Sequence, residues 1–272
     1  MAGRYVALGS SMAAGPGILP RAPGSPRLAG RSARNYPHHV ADRMGYQLVD
    51  VTYSGATTAH ILTDPQNTAA PQIGALDGTE ELVTVTIGGN DVGYVPFLLA
   101  ACLPHVLRAL PVVGGGLADM LDTGKRDAAL AVVGQSLRAV GEQVRNRAPR
   151  ARVIFVDYLA LLPPEGELAP PYTQAETASG RHIAAELAAA TAAAAHATGC
   201  EIVRASAASA DHHAWSARPW ATRPGFPWPW RPAPLHPNAD GMSAVADLIV
   251  AVLDAASNDR GCGVSGPEHC DT

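Results

Sequence analysis

The sequence predicts an α/β fold, a parallel sheet with helices on both faces, and two observations lead there. Short apolar runs bounded by Gly, Ser or Asn alternate along the chain with longer Ala-, Leu- and Arg-rich stretches of helical spacing. With 272 residues, 47% hydrophobic and 16% charged, the chain is long enough for one domain around a single core and too apolar for a disordered or fibrous protein. The predicted strands are residues 5–8, 47–51, 82–87, Arg152–Val156 and Glu201–Val203. In the third, Val83, Val85 and Ile87 share one face and Thr84 and Thr86 the other, as expected of a central strand. The clearest helices are 125–147 and Gln174–Ala197, the latter stopped by Gly199, with a last helix over about 242–256.

Between residues 206 and 238 the character changes. Trp215, Trp220, Trp228 and Trp230 all fall here, interleaved with Pro219, Pro224, Pro227, Pro229, Pro232, Pro234 and Pro237. Proline at this density cannot join a sheet interior or continue a helix, so an irregular loop pinned by aromatic packing is predicted. Residues 16–34 read as a surface loop, and the domain is expected to span 1–257 with a flexible tail over 258–272.

Twenty Lys and Arg against 24 Asp and Glu give a net charge of −4, which argues against nucleic acid as a partner. No apolar run reaches the roughly 20 residues of a membrane span. The opening MAGRYVALGSS lacks the basic start and long apolar stretch of an export signal. A cytoplasmic location is therefore expected, or a secreted one if Met1 stands in place of a removed leader. Cys102, Cys200, Cys262 and Cys270 are too few and scattered for a disulfide framework or a zinc cluster; Cys262 and Cys270 either pair across a short loop or remain free thiols. Neither a metal nor an organic cofactor is expected.

Four stretches carry residues suited to chemistry. In VALGSSMAAGPG, Ser10 and Ser11 follow a strand that turns into a helix, which presents a hydroxyl at the carboxyl edge of the sheet. The same turn supplies backbone N–H groups to a developing oxyanion. In VTVTIGGNDVGY, two glycines allow a sharp turn before Asn90, whose amide can donate to an oxyanion. TYSGATTAHI offers the backbone N–H of Gly55, and LHPNADGM places His236 just before the final helix. Each alone also suits a helix cap, a turn or a surface histidine; the conjunction, in chain order at strand and helix ends, is the informative feature.

On these residues the chain resembles the SGNH hydrolases, the GDSL esterase and lipase family, whose four blocks are named for Ser, Gly, Asn and His, and in its ALGSSMAAGPG opening it resembles actinobacterial members. The resemblance runs from Tyr5 to about Val252 and is strongest at GATT, IGGND and HPNADGM. It implies a three-layer α/β/α sandwich with a central parallel sheet of about five strands and a shallow site for acyl esters. It also implies Ser11 as nucleophile, His236 as general base, and an oxyanion hole formed by the N–H groups of Ser11 and Gly55 with the side chain of Asn90.

Two positions depart from the family pattern. Ser10 stands where block I has Asp, and Ala233 stands where the triad acid lies, three residues before the histidine. The reading adopted is a Ser–His dyad in which the backbone carbonyl of Ala233 accepts the Nδ1–H of His236; Asp211 as a substitute acid and an impaired enzyme are the alternatives. Relatives also carry a cysteine just before the block II serine, where this chain has Tyr53, so Cys102 and Cys200 are expected to be ordinary buried thiols.

The expected function is hydrolysis of small or lipid-like carboxylic esters through an acyl-enzyme. Acyl length would be set by residues 92–107, with Tyr94, Phe97, Leu98 and Leu99, and by the Trp/Pro loop. The alternatives are a glycan O-deacetylase and, from another class, a binding protein that kept the fold and lost efficient chemistry.

Overall fold

The computed structural model describes residues 2–108, 111–228 and 231–261. Pro229 and Trp230 of the Trp/Pro loop, and Cys262 and Cys270, lie outside them.

Five parallel strands form one sheet in the order β2-β1-β3-β4-β5: β1 Arg4–Gly9, β2 Gln47–Asp50, β3 Glu80–Thr86, β4 Arg152–Val156 and β5 Glu201–Val203. The helices, in chain order, are α1 Ser11–Ala14, α2 Tyr36–Met44, α3 Thr58–Leu62, α4 Tyr94–Ala101, α5 His105–Arg108, α6 Pro111–Leu121, α7 Thr123–Arg147, α8 Gln174–Ala197, α9 Ala205–Ala208 and α10 Ala239–Gly261. Because side chains alternate along a strand, the sheet feeds two cores. Val6, Leu8, Val83, Val85 and Phe155 pack with Val133, Leu137 and Val140 of α7 and Ile183 and Leu187 of α8. Tyr5, Ala7, Leu82, Ile154 and Val203 pack on the opposite face with Val40 of α2 and Met242, Val245 and Ile249 of α10. The threonine face of β3 is satisfied rather than left bare: Thr84 meets the Tyr5 hydroxyl at 2.7 Å and Thr86 meets that of Tyr36 at 2.7 Å. The three-layer α/β/α expectation holds.

Capping explains where the long helices begin. The Asp122 carboxylate accepts from Lys125 N–H ahead of α7, and Thr173 with Glu176 closes a reciprocal capping box ahead of α8. The last helix starts earlier than its periodicity suggested, because Asn238 Oδ1 accepts the Gly241 N–H at 2.8 Å. It also ends later, at Gly261, four residues into the segment read as tail, since no glycine or proline interrupts 242–260. The loop at 16–34 is more firmly held than a surface loop: Ala29 and Ser32 are fully buried. Cys200 is buried as expected, whereas Cys102 is only half-buried; both are free.

The aromatic pinning of the Trp/Pro loop is partial. Trp215 packs edge-on against Tyr172 and donates to Pro170 O, and Trp220 stacks flat on His212 with centroids 4.1 Å apart. Trp228 is exposed. Among the described residues no helix is long and apolar enough to cross a membrane.

Candidate active site

The strand order places a reversal between β1 and β3, and in open parallel sheets the crevice for ligands lies at the carboxyl ends of strands at such a point. Ser11 follows β1 and Asn90 follows β3.

The turn after β1 is tightly specified. A Cβ on Gly9 would stand 2.6 Å from Thr86 O, so only glycine fits, and the Gly9 peptide is held on both sides by the Gln72 amide, at 2.7 and 3.0 Å. The two adjacent serines then diverge. Ser10 is fully buried and its hydroxyl lies 2.8 Å from that of Tyr158. Ser11 opens the short helix α1 and its Oγ lies 2.8 Å from His236 Nε2. That is the reach over which a hydroxyl can pass its proton to an imidazole, and of the two serines Ser11 makes this contact.

His236 is aimed by its own loop. Its Nδ1 lies 2.7 Å from Pro234 O, so Nδ1 carries the proton and Nε2 is left as acceptor for Ser11. The expected acceptor, Ala233 O, is corrected to Pro234 O, and the reason is local. Ala233 O already accepts the Thr222 hydroxyl at 2.6 Å, and Ala233 N–H donates to Pro16 O at 2.9 Å. Leu235, buried with φ of 60°, takes the left-handed backbone that brings the carbonyl two residues back onto the ring. Thr222 N–H donates to His236 O at 2.9 Å and completes the brace. Asp211 sits exposed in a 3₁₀ turn, Ala210–His212, and takes no part in holding His236, which corrects the substitute-acid alternative. Burial pushes the His236 pKa below its ordinary 6.5, opposed by the Pro234 carbonyl.

The turns at Gly55 and Asn90 are equally braced. Gly55 adopts φ of 81° on an exposed turn, and among the described residues neither its N–H nor that of Ser11 donates to a backbone acceptor. Asn90 Nδ2 gives one hydrogen to Ala56 O at 2.8 Å, which fixes the amide and leaves the second hydrogen available. Asp91 binds the start of α3: its carboxylate accepts Thr58 N–H at 3.1 Å and Thr58 Oγ1–H at 2.5 Å. Burial raises the Asp91 pKa, and the Thr58 bonds pull against that rise.

The structure thus joins all four stretches. Ser11 meets His236 directly; Gly9 O accepts Tyr53 N–H at 2.9 Å; Asn90 and Asp91 hold Ala56 and Thr58. Three contributors carried no sequence signal, Pro234, Thr222 and Tyr158, while Asp91 stands in the IGGND motif without a role assigned there. Tyr158 Oη accepts Gly89 N–H at 3.1 Å as well as meeting Ser10, so one phenol ties the Ser10–Ser11 turn to the Asn90 turn. Burial pushes its pKa up to about 12, which keeps it neutral and able to donate. Tyr158→Phe keeps the ring but strands a buried hydroxyl and N–H. The variant is expected to lose about 1–3 kcal/mol in denaturant unfolding. Its kcat is expected to fall roughly ten- to hundredfold with little change in KM; steady-state kinetics beside the unfolding curve separate the two effects.

No group of three or more His, Cys, Asp or Glu side chains suited to a metal occurs among the described residues. A sequence model of the GDSL-like Lipase/Acylhydrolase family matches residues 7–244. The chain is 35% identical over 257 residues to Lipase 2 of Streptomyces coelicolor, covering 92% of this chain and 85% of that protein. It superposes on phospholipase A1 from Streptomyces albidoflavus NA297 and on the extracellular lipase of Streptomyces rimosus, each with a TM-score of 0.76, 25% identity, 92% of this chain and 99% of the other.

Proposed function

Since the chain belongs to the GDSL-like lipase/acylhydrolase family and is a serine hydrolase of carboxylic esters, we propose that it works through an acyl-enzyme on Ser11, with His236 as base and no acidic third member. The observation that carries this reading is the relay Ser11 Oγ to His236 Nε2 at 2.8 Å with Nδ1 on Pro234 O at 2.7 Å. Ser11 Oγ attacks the ester carbonyl while His236 Nε2 takes its proton. The tetrahedral oxyanion is received by the N–H groups of Ser11 and Gly55 and by the free hydrogen of Asn90 Nδ2. His236 then protonates the leaving alcohol, and a water activated by the same imidazole releases the acid. A carbonyl fixes the tautomer as a carboxylate would but supplies no full charge, so the imidazolium is less stabilised.

The intact relay speaks against a scaffold that has lost its chemistry, because such a protein needs no aimed imidazole. The pH profile of kcat/KM on a soluble ester tests the proposal. Only neutral His236 can accept the Ser11 proton, so activity is lost as pH falls through its pKa. Because burial lowers that pKa, the acid limb is expected to centre below 6.5 with a plateau above it. A limb centred above about pH 7, or no limb at all, contradicts His236 as the base.

A further inference from the structure

We propose that Gln72 is a positioning residue for the reaction: its side-chain amide replaces strand backbone that β2 does not supply and fixes the peptide from which the Ser11 turn departs. The inference rests on Ser11 as the nucleophile and extends that reading to what keeps its hydroxyl aimed.

β1 runs further than its neighbour follows. The last residue of β2, Asp50, pairs with Ala7, and Val51 N–H still reaches Ala7 O at 3.1 Å. In a parallel ladder a residue donates to one side of its partner and accepts from the other, at even spacing, so the Val51 carbonyl is the next acceptor due for Gly9 N–H. Gly9 N–H goes instead to Gln72 Oε1 at 2.7 Å, and Gln72 Nε2 donates to Gly9 O at 3.0 Å. A primary amide carries the same donor and acceptor pair as a peptide, and the two groups of Gly9 dictate which way round it lies.

The amide is itself anchored. Gln72 is buried at the start of a 3₁₀ turn, Gln72–Ala75, between α3 and β3. Ile73 and Leu76 of this segment lie in the core, and Arg4 Nη2 donates to Ala75 O at 2.8 Å. On the other side of β1, Ser10 N–H donates to Thr86 O at 2.9 Å. The peptide between Gly9 and Ser10 is thus gripped from both flanks, and Ser11 is the next residue. Among the described residues no other side chain bonds to the backbone of Gly9 or Ser10. The base is carried by a separate loop, so the 2.8 Å contact from Ser11 Oγ to His236 Nε2 depends on how the Ser11 turn is held. A peptide free to rotate there misplaces the hydroxyl without altering its chemistry.

The test is kcat and KM on a soluble p-nitrophenyl ester, per folded molecule, for the wild type, Gln72→Met, Gln72→Glu and the control Val144→Ala, a fully buried core residue in the last turn of α7. Gln72→Met keeps the length of the side chain and loses both bonds; its kcat is expected to fall roughly ten- to hundredfold at constant KM. Val144→Ala is expected to lower the denaturant midpoint and leave kcat at the wild-type value. Gln72→Glu adds a signature in pH, followed from about pH 5 to 9.5 because burial raises the pKa of the introduced carboxyl. Protonated, it can accept from Gly9 N–H and donate to Gly9 O as the amide does; ionised, it sets an oxygen against that carbonyl. Activity is therefore expected to be lost as pH rises through that pKa, an alkaline limb where the wild type is flat. Wild-type kcat in Gln72→Met overturns the positioning role while leaving the Ser11 chemistry standing. If that variant does not fold, wild-type kcat at the alkaline end in Gln72→Glu overturns it instead. An equal loss of kcat in Val144→Ala also overturns it, since activity would then follow stability and not aim. No turnover of any ester by the wild type overturns the esterase reading and the role of Gln72 with it.

Discussion

Ser11→Ala is expected to lower kcat/KM on a soluble ester by roughly 10⁴–10⁶, to a residual rate that the oxyanion donors alone sustain. The alanine removes the hydroxyl proposed as nucleophile without disturbing its surroundings. Ser11 is packed at the start of a four-residue helix closed by Gly15, and its hydroxyl is turned toward His236 instead of capping a backbone group. The fold is therefore expected to unfold at an unchanged denaturant midpoint. Ser10→Ala is the contrasting variant, because Ser10 reaches Tyr158 and not the imidazole; equal losses in the two variants, or a larger one in Ser10→Ala, would reassign the nucleophile.

His236→Ala is expected to show a loss of the same order, and Ser11→Ala combined with His236→Ala no further loss, since residues that act as one relay are not additive. Without the imidazole the Ser11 hydroxyl has no acceptor for its proton and reverts to a weak nucleophile. Multiplied losses in the double variant would show that the two side chains act independently, against the 2.8 Å contact between them. Thr222→Val tests the brace in a graded way. It removes the hydroxyl that occupies Ala233 O and reaches His236 O. Part of the activity is expected to go, as the imidazole loses its aim while keeping its chemistry.

Much of this was legible in the sequence because local chemistry and fold agree. The Val83, Val85, Ile87 alternation marks a central strand, and the helical spacing over 125–147 and 174–197 marks two helices that the backbone adopts, the first of them from Thr123. Ser11, Gly55 and Asn90 are each announced by a glycine-bearing turn after a strand, and His236 by its place just before the last helix. The helix α6 was not legible: GGG within PVVGGGLADML argues for a turn, and tertiary contacts with α4 override that preference. Nor was the group that orients His236. Whether Ala233 or Pro234 presents its carbonyl depends on the φ of Leu235 and on Thr222, fourteen residues before the histidine, and neither leaves a mark in the local sequence. Tyr158 was hidden for the same reason, since 148 residues separate it from Ser10 and only the sheet brings them together.

The central claim is that a backbone carbonyl suffices to make His236 an effective base for Ser11. Labelling with a fluorophosphonate, followed by mass mapping of the adduct, tests it most directly, because only an activated serine reacts quickly. The expected result is one adduct on Ser11 in the wild type, none in Ser11→Ala, and labelling at least a hundredfold slower in His236→Ala. An adduct on another serine, or equal labelling rates in the wild type and His236→Ala, would contradict the account.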